Sequence, residues 1–284
     1  MNFCTVFDEN YQAKGLSLIA SIERWCPDSE IFVLAASDQF VPNADVQQTL
    51  SGLEHDCPEL LTAKANRTHT EYMWTLASFW TWHLMNHQGL NEVCYVDADT
   101  FFFYGPQSLW DEIGDKAIAI TEHRWTPALK PNLESNGRFN VGIVYFKQEG
   151  LPCLTHWKDQ VLDWCYYRHD EGDTRFGDQV YLDDWVDKWD AYVIQSNGVN
   201  LAPWNNMRYE YCIDENGVMF VQDGDRCDPI ILFHFLEFDT YCRGKKIWTN
   251  YQLHPMVSKY LYAAYQAEIT KWSSVARTAE RSYA

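Results

Sequence analysis

Residues 93–96, Val-Cys-Tyr-Val, form a short apolar run of the kind that makes a buried strand, and they lead straight into Asp97-Ala98-Asp99-Thr100. Two carboxylates one residue apart at the end of such a strand are expensive to leave unpaired, on the order of several kcal/mol each, so this end must meet solvent or a cation. A buried strand of this type belongs in an open α/β sheet, where ligands bind at the carboxyl ends of the strands. Paired hard oxygen donors with room for phosphate oxygens suit Mg²⁺ or Mn²⁺. The economical reading is a divalent cation held against a nucleotide diphosphate. An isolated Asp-x-Asp triplet is more often a turn or a helix cap. The strand before this one and the aromatic run Phe101-Phe102-Phe103-Tyr104 after it set it apart.

The amino-terminal segment predicts the same architecture. Residues 2–7 read as a strand, residues 9–25 carry Tyr11, Leu16, Ile19 and Ile22 at helical spacing, and residues 30–35 read as a second strand. Such a βαβ unit implies a parallel sheet and a right-handed crossover. A helix is expected over 69–87, ended by Gly89, then the strand leading to Asp97. Further on, the pattern predicts helices over 107–113 and 151–168, and strands over 116–121, 138–146, 192–194 and 229–235. A helix opening at Asp178-Gln179 is expected to run to about Trp189, and the chain reads as helical from Tyr251. There is no internal repeat and no low-complexity linker. The expected organisation is one α/β domain over residues 1–250, a Rossmann-like, mostly parallel sheet flanked by helices, with a helical extension over 251–284.

Composition narrows the partners. A chain of 284 residues, 46% of them hydrophobic, supports a sizeable core. Acidic residues number 40 against 22 basic, a formal charge of −18. That surface repels phosphate backbones and argues against nucleic acid as a partner. It would also repel a nucleotide unless a metal or local basic groups offset it, which strengthens the metal reading of Asp97 and Asp99. Nine cysteines without a Cys-x-x-Cys pair are expected to be reduced thiols of a cytoplasmic protein. The first residues lack a charged start and a long apolar stretch, and no run approaches the ~20 apolar residues of a membrane span, so a soluble protein is expected.

Other segments offer candidate groups. Asn140 and Gly142 open a strand where a polar side chain and a bare backbone could face a ligand. Asp178 sits in the first turn of its expected helix, where a carboxylate is most often a cap. The segment over 196–205, with Asn200, Trp204 and Asn205, is rich in amides and poor in charge, as suits a neutral polyol, though a plain connection reads equally well. His234 interrupts an apolar strand. It becomes a third metal ligand if that strand's end lies beside Asp97. Lys245 and Lys246 form a compact basic cluster able to pair with phosphate or to remain a solvated turn. His83 and His87 have a metal-ligand spacing, but lie among Trp80, Trp82 and Leu84 with no acidic partner in pattern.

In this order the segments resemble a nucleotide-sugar glycosyltransferase of the GT-A type, and more specifically family 8, the group of glycogenin and the bacterial lipopolysaccharide galactosyltransferases. Thr5-Val6-Phe7-Asp8-Glu9-Asn10-Tyr11 resembles that group's opening strand, where the nucleoside lies. Tyr95-Val96-Asp97-Ala98-Asp99-Thr100 matches its metal motif, and Phe139-Asn140-Val141-Gly142 is similar to its Phe-Asn-x-Gly motif, which contacts the donor sugar. Gly177-Asp178-Gln179 matches its Asp-Gln pair, whose carboxylate binds the sugar near the reacting carbon, and His234-Phe235 resembles its third metal ligand. There are two departures. The family's glycine and Lys-Pro-Trp appear only as Gly244-Lys245-Lys246-Ile247-Trp248 at a stretched spacing. The basic residue expected on the helix before the metal motif has only Arg67 and His69 as nearest candidates.

The resemblance implies a metal-dependent hexosyltransferase using a nucleoside diphosphate sugar, with UDP as the default, and acting with retention. It implies Mn²⁺ or Mg²⁺ on Asp97, Asp99 and His234. The donor is expected against Thr5, Phe7, Tyr11, Asp97, Ala98, Asp99, Asn140, Gly142, Lys245 and Lys246. Asp178, Gln179 and Asn140 are expected at the reacting sugar, and Asn200, Trp204 and Asn205 at the acceptor. The acceptor would be a carbohydrate or a lipid-linked glycan, the latter placing the protein at the inner face of a membrane by peripheral contact at most. The alternatives are a sugar nucleotidyltransferase, which needs a glycine-rich basic loop where residues 9–15 offer one Gly and one Lys, and a non-catalytic nucleotide- or sugar-binding protein.

Overall fold

Strand β1 (Asn2–Phe7) is buried at all but its first residue. Its alternation sends Cys4 and Val6 into one core and Phe3 and Phe7 into another on the opposite face. This two-sided burial makes β1 a central strand. In the computed structural model, which describes residues 1–170, 172–239 and 248–282, β1 pairs in parallel with β2 (Glu30–Ala35) and with β4 (Glu92–Val96). Helix α1 (Gln12–Trp25) makes the crossover, burying Leu16, Ile19 and Ile22. Strand β3 (Val46–Thr49) adds a polar edge beside β2. Helices α2 (Leu50–Asp56), α3 (Glu59–Asn66) and α4 (His69–His87) then return the chain to β4. Helix α4 starts at a capping box, Thr68 and Glu71 each bonding the other's backbone N–H, and ends before Gly89, which takes a left-handed φ of +70°.

After β4 the chain forms β5 (Thr100–Phe102), α5 (Gln107–Ile113), β6 (Ile118–Glu122), α6 (Asn132–Asn136), β7 (Phe139–Lys147), α7 (Leu151–Asp163), α8 (Trp185–Trp189) and β8 (Tyr192–Val193). The seven-stranded sheet runs β3-β2-β1-β4-β7-β6-β8. Strand β7 is antiparallel to both β4 and β6, and the other pairings are parallel. The expected mixed α/β architecture with a mostly parallel central sheet is the one observed. One helical layer buries Leu53, Leu76, Trp80, Trp157 and Trp185 against the sheet, and the other buries Leu16, Ile22 and Leu109.

Strands β9 (Glu210–Ile213), β10 (Met219–Asp223) and β11 (Arg226–Pro229) form an antiparallel meander, and β12 (Leu232–His234) pairs with β5. The run over 229–235, expected as one strand, is thus divided. Pro229 closes β11, and the chain then leaves the meander to pair elsewhere. The helix expected over 151–168 stops at Asp163, and the one expected from Asp178 begins as a tighter 3₁₀ turn over Val180–Asp184. The carboxyl-terminal helix, α9 (Ala263–Ser282), is preceded by a π-helical stretch, Val257–Tyr262. Leu261, Tyr262 and Tyr265 bury against Phe233 and Phe235, with the rings of Phe235 and Tyr265 stacked at 3.8 Å. Every cysteine among the described residues is free. No helix among them is long and apolar enough to cross a membrane.

Candidate active site

The carboxyl ends of β1 and β4 and the amino end of the antiparallel β7 share one edge of the sheet. Past Val96, Asp97 still donates its N–H to the Gly142 carbonyl (3.1 Å), and its own carbonyl accepts from both the N–H and the hydroxyl of Thr100 (3.0 and 2.8 Å). That turn swings the chain into β5. Strand β12 lies antiparallel to β5 with His234 opposite Thr100, which delivers the imidazole to the two aspartates. His234 Nε2 is 3.1 Å from Asp99 Oδ1 and 3.7 Å from Asp97 Oδ2. One ligand atom from each of the three residues lies within 4.8 Å of the others. Two carboxylates and one imidazole converging this closely are a donor set able to hold a divalent cation.

The neighbours hold this arrangement. The Tyr95 hydroxyl donates to Asp97 Oδ1 (2.8 Å). Burial alone would raise the Asp99 carboxyl, but the adjacent His234 holds it down at about 2. Burial would correspondingly lower the imidazole, and Asp99 raises it instead. The Asp97 carboxyl is pushed up by burial and by Asp99, against the pull of His234. Gly142 leaves room for the ring. A β-carbon there would stand 2.5 Å from His234 Nδ1, 2.7 Å from Asn140 Oδ1 and 2.8 Å from Asn200 Oδ1.

A cleft of about 540 Å³ opens in front of these residues. At one end Asp8, from the end of β1, accepts from the Tyr11 N–H (3.0 Å) and the Asn10 amide (3.2 Å) and lies 2.7 Å from His69 Nε2. Burial opposes ionisation of Asp8, and these bonds outweigh it and lower its carboxyl. Phe7, Tyr11 and Ala98 line the same cleft. Asp178 faces it from the segment before the 3₁₀ turn, which is entered at Gln179 without a side-chain cap. Burial, with the charge of Asp97 added, pushes the Asp178 carboxyl up to about 8. The Gln179 amide donates to the Asn136 carbonyl (2.7 Å), which turns its oxygen to within 3.5 Å of Asn140 Nδ2.

The remaining expected residues fall in different places. Trp204 lines the cleft, and its indole N–H donates to the His123 carbonyl (2.8 Å). Asn200 and Asn205 are fully buried and do not line it; Asn205 bonds the His123 and Asn200 carbonyls (2.9 and 3.3 Å). Thr5 and Gly142 are likewise behind the lining. Lys245 and Lys246 lie outside the described residues. Arg67 turns away, donating to the carbonyls of Val161 and Leu162 (both 2.7 Å), whereas His69 reaches the cleft. His83 and His87 stack on each other at 4.8 Å and do not line it.

Several lining residues were not singled out from the sequence. His123 stacks on Trp125 at 4.4 Å, and burial lowers its imidazole to about 3, so it stands neutral beside Asn140. Trp74, Tyr167 and Phe176 make an aromatic rim next to Asp178, with ring centroids 5.3–6.3 Å apart. They come from three separate segments, and Trp74 and Tyr167 sit among other aromatics in theirs, so only tertiary packing shows which rings meet. Asp8 was within reach, because an acid directly after an apolar strand is the same signal that Asp97 gives.

No family model matches the chain. Two proteins of Bacillus subtilis (strain 168), both described as uncharacterised, are similar to it. YfnD is 28% identical over 284 residues, spanning 95% of this chain and 89% of its own length. YfnF is 27% identical over 253 residues, spanning 82% and 80%. Among solved structures, an active-site mutant of LgtC superposes with a TM-score of 0.56 at 14% identity, covering 87% of this chain and 92% of that one. The galactosyltransferase LgtC in complex with donor and acceptor sugar analogues gives 0.54 at 15% identity, covering 95% and 96%. The glycosyltransferase GlyE of Streptococcus pneumoniae TIGR4 gives 0.53 at 12% identity, covering 96% of this chain and 63% of that one. The architecture of this chain is thus the one these glycosyltransferases share.

Proposed function

We propose that this protein is a metal-dependent glycosyltransferase of the family 8 type. It moves a hexosyl group from a nucleoside diphosphate sugar, UDP-linked by default, to a hydroxyl of a carbohydrate or lipid-linked glycan, with retention. The observation that carries the reading is the convergence of Asp97, Asp99 and His234 on one cleft that also holds Asp178. The shared architecture of LgtC, solved with donor and acceptor sugar analogues, supports it.

Mn²⁺ or Mg²⁺ held by Asp97, Asp99 and His234 supplies positive charge against the departing diphosphate. The chain's own side chains do the rest. Phe7 and Tyr11 offer apolar faces to the nucleoside, with Asp8 as a hydrogen-bond acceptor beside them. The basic cluster Lys245-Lys246 is read from the sequence alone, as positive charge able to pair with phosphate. Asp178, once ionised, stabilises the positive charge that develops on the sugar ring. Its recessed position favours discharge of that carboxylate against a cation over contact with water. Asn140 and Gln179, locked by their mutual contact and by the Asn136 carbonyl, orient the sugar hydroxyls. The rim of Trp74, Tyr167 and Phe176, together with Trp204, offers flat apolar faces to an acceptor sugar. A lipid-linked acceptor would bring the protein to the inner face of a membrane as a peripheral partner.

The test is donor hydrolysis across a panel of nucleotide sugars, with Mn²⁺ and with EDTA. Release of the nucleoside diphosphate that requires Mn²⁺ and is abolished by EDTA is the expected result. Turnover unaffected by EDTA would contradict the reading, and pyrophosphate release from a nucleoside triphosphate would favour a nucleotidyltransferase.

A further inference from the structure

Asn200 is fully buried and holds a left-handed backbone, φ +57°, that few side chains tolerate. Its amide is fixed from one side. Nδ2 donates to the Thr121 hydroxyl (2.8 Å) and to Asn140 Oδ1 (3.0 Å). Asn140 Oδ1 is itself fixed as an acceptor, because the Gly142 backbone N–H also donates to it (2.9 Å). A flipped Asn200 amide would set two oxygens against each other, so the network assigns the orientation and leaves Oδ1 on the opposite side.

That oxygen is buried without a hydrogen-bond partner, and so is Nδ1 of His234. Both converge on the bare Cα of Gly142, as the 2.8 Å and 2.5 Å approaches to a β-carbon there show. Asn140 Oδ1 is the third atom at that point, and it already accepts two hydrogen bonds. The acceptor with capacity left for an imidazole N–H is Asn200 Oδ1. No hydrogen bond joins the two in this structure; a buried unpaired donor and a buried unpaired acceptor each cost on the order of 1–3 kcal/mol, so a small movement that closes the gap between them is favoured.

We infer that Asn200 is a positioning residue for the metal centre: in the cation-loaded protein its Oδ1 closes on His234 to accept the Nδ1–H, fixes the tautomer with the lone pair on Nε2, and aims that lone pair at the cation held by Asp97 and Asp99. Metal-ligating histidines generally donate their other ring N–H to an oxygen that sets the ring's orientation, and loss of that oxygen weakens binding by about 10–100-fold. The inference rests on the metal reading proposed above. It gives Asn200 a task at the metal centre without direct contact with a substrate.

The experiment uses the full chain and Mn²⁺ alone, with affinity read by electron paramagnetic resonance. Asn200→Ala is expected to weaken Mn²⁺ by about 10–100-fold while circular dichroism stays native. In Asn200→Asp, burial beside the acceptor Asn140 Oδ1 keeps the carboxyl protonated on that side, so it still donates to Asn140 and keeps an oxygen facing Nδ1, and Mn²⁺ affinity is expected to stay within about threefold of wild type. A purely structural role predicts that the two variants fail alike. Nitrogen NMR of the wild-type protein with Mg²⁺ is expected to show His234 protonated on Nδ1 and bare on Nε2. This measurement decides the matter even if Asn200→Ala does not fold. Wild-type affinity in Asn200→Ala, equal losses in both variants, or a bare Nδ1 would each overturn the inference and leave the metal reading standing. Absence of saturable Mn²⁺ binding to wild type would overturn both.

Discussion

His234 rests its imidazole on the Cα of Gly142, so closely that a β-carbon would come within 2.5 Å of Nδ1. Gly142→Ala is therefore expected to push the ring off its line to Asp99. The buried amides of Asn140 and Asn200 block the other directions, both under 3 Å away. A stability loss of about 1–3 kcal/mol in chemical denaturation should accompany at least a tenfold weaker Mn²⁺ affinity. An alanine protein with unchanged metal affinity would show that the ring has another place to go.

Asp99→Asn keeps the size of the side chain and removes the charge that pairs with His234. The fold should persist, since Asp99 adds no hydrophobic burial, while Mn²⁺-dependent donor turnover should fall by about 100-fold or more. Donor hydrolysis over a Mn²⁺ titration, alongside a thermal melt, reads both quantities. Normal turnover would remove Asp99 from the metal site.

Asp178 carries a pH signature. Its carboxyl is pushed up to about 8 by burial and by Asp97, while an unfolded chain ionises it near about 4. Between those values the folded protein holds a proton that the unfolded chain releases, so unfolding is favoured as pH rises. Stability in EDTA should thus be highest below about 4 for this group and be lost progressively towards 8. Asp178→Asn should flatten that slope and raise the melting temperature at pH 8 more than at pH 5. Equal effects at both pH values would mean that the carboxylate is solvated.

The same residue separates chemistry from binding. Asp178→Ala is expected to cut kcat for sugar transfer by about 100-fold or more while donor Kd changes by less than about fivefold, because a charge that develops on the ring is felt mainly in the transition state. Comparable losses in both would indicate that removing the side chain damages the cleft.

Tyr167 is 69% exposed on the rim beside Phe176 and Trp74. Tyr167→Ala should raise the acceptor KM by about tenfold and leave acceptor-independent donor hydrolysis unchanged, in keeping with the loss of one stacking face. A matching drop in donor hydrolysis would place the ring at the donor instead.

Much of this was legible in the chain where burial imposes a period. The strands β1, β2 and β4 and helix α4 lie where apolar spacing predicted them, because each is enclosed on the faces its pattern marks. Strand β3, Val-Gln-Gln-Thr, carries no such pattern, since an edge strand needs little apolar surface. The aromatic run after Asp99 concealed β5, and with it the reason that His234 reaches the aspartates through a pairing 134 positions apart, Thr100 against His234. Asn200 and Asn205 looked suited to a ligand because amides do bind polyols. Their buried bonds to Thr121, Asn140 and His123 show that amides also satisfy one another, and composition does not distinguish these outcomes. His123 and Trp125 are set by the register of β6 against β7, where Thr121 and Glu122 shift by a bulge, and no local signal announces it.

The two-stranded ribbon of β5 and β12 ties the turn that bears both aspartates to a segment that leads directly into the carboxyl-terminal aromatic core. A cation shared across it would act as a clasp between the middle and last thirds of the polypeptide. Chelation should then loosen the later portion first, with amide protons of Leu232–His234 exchanging well before those of the central strands.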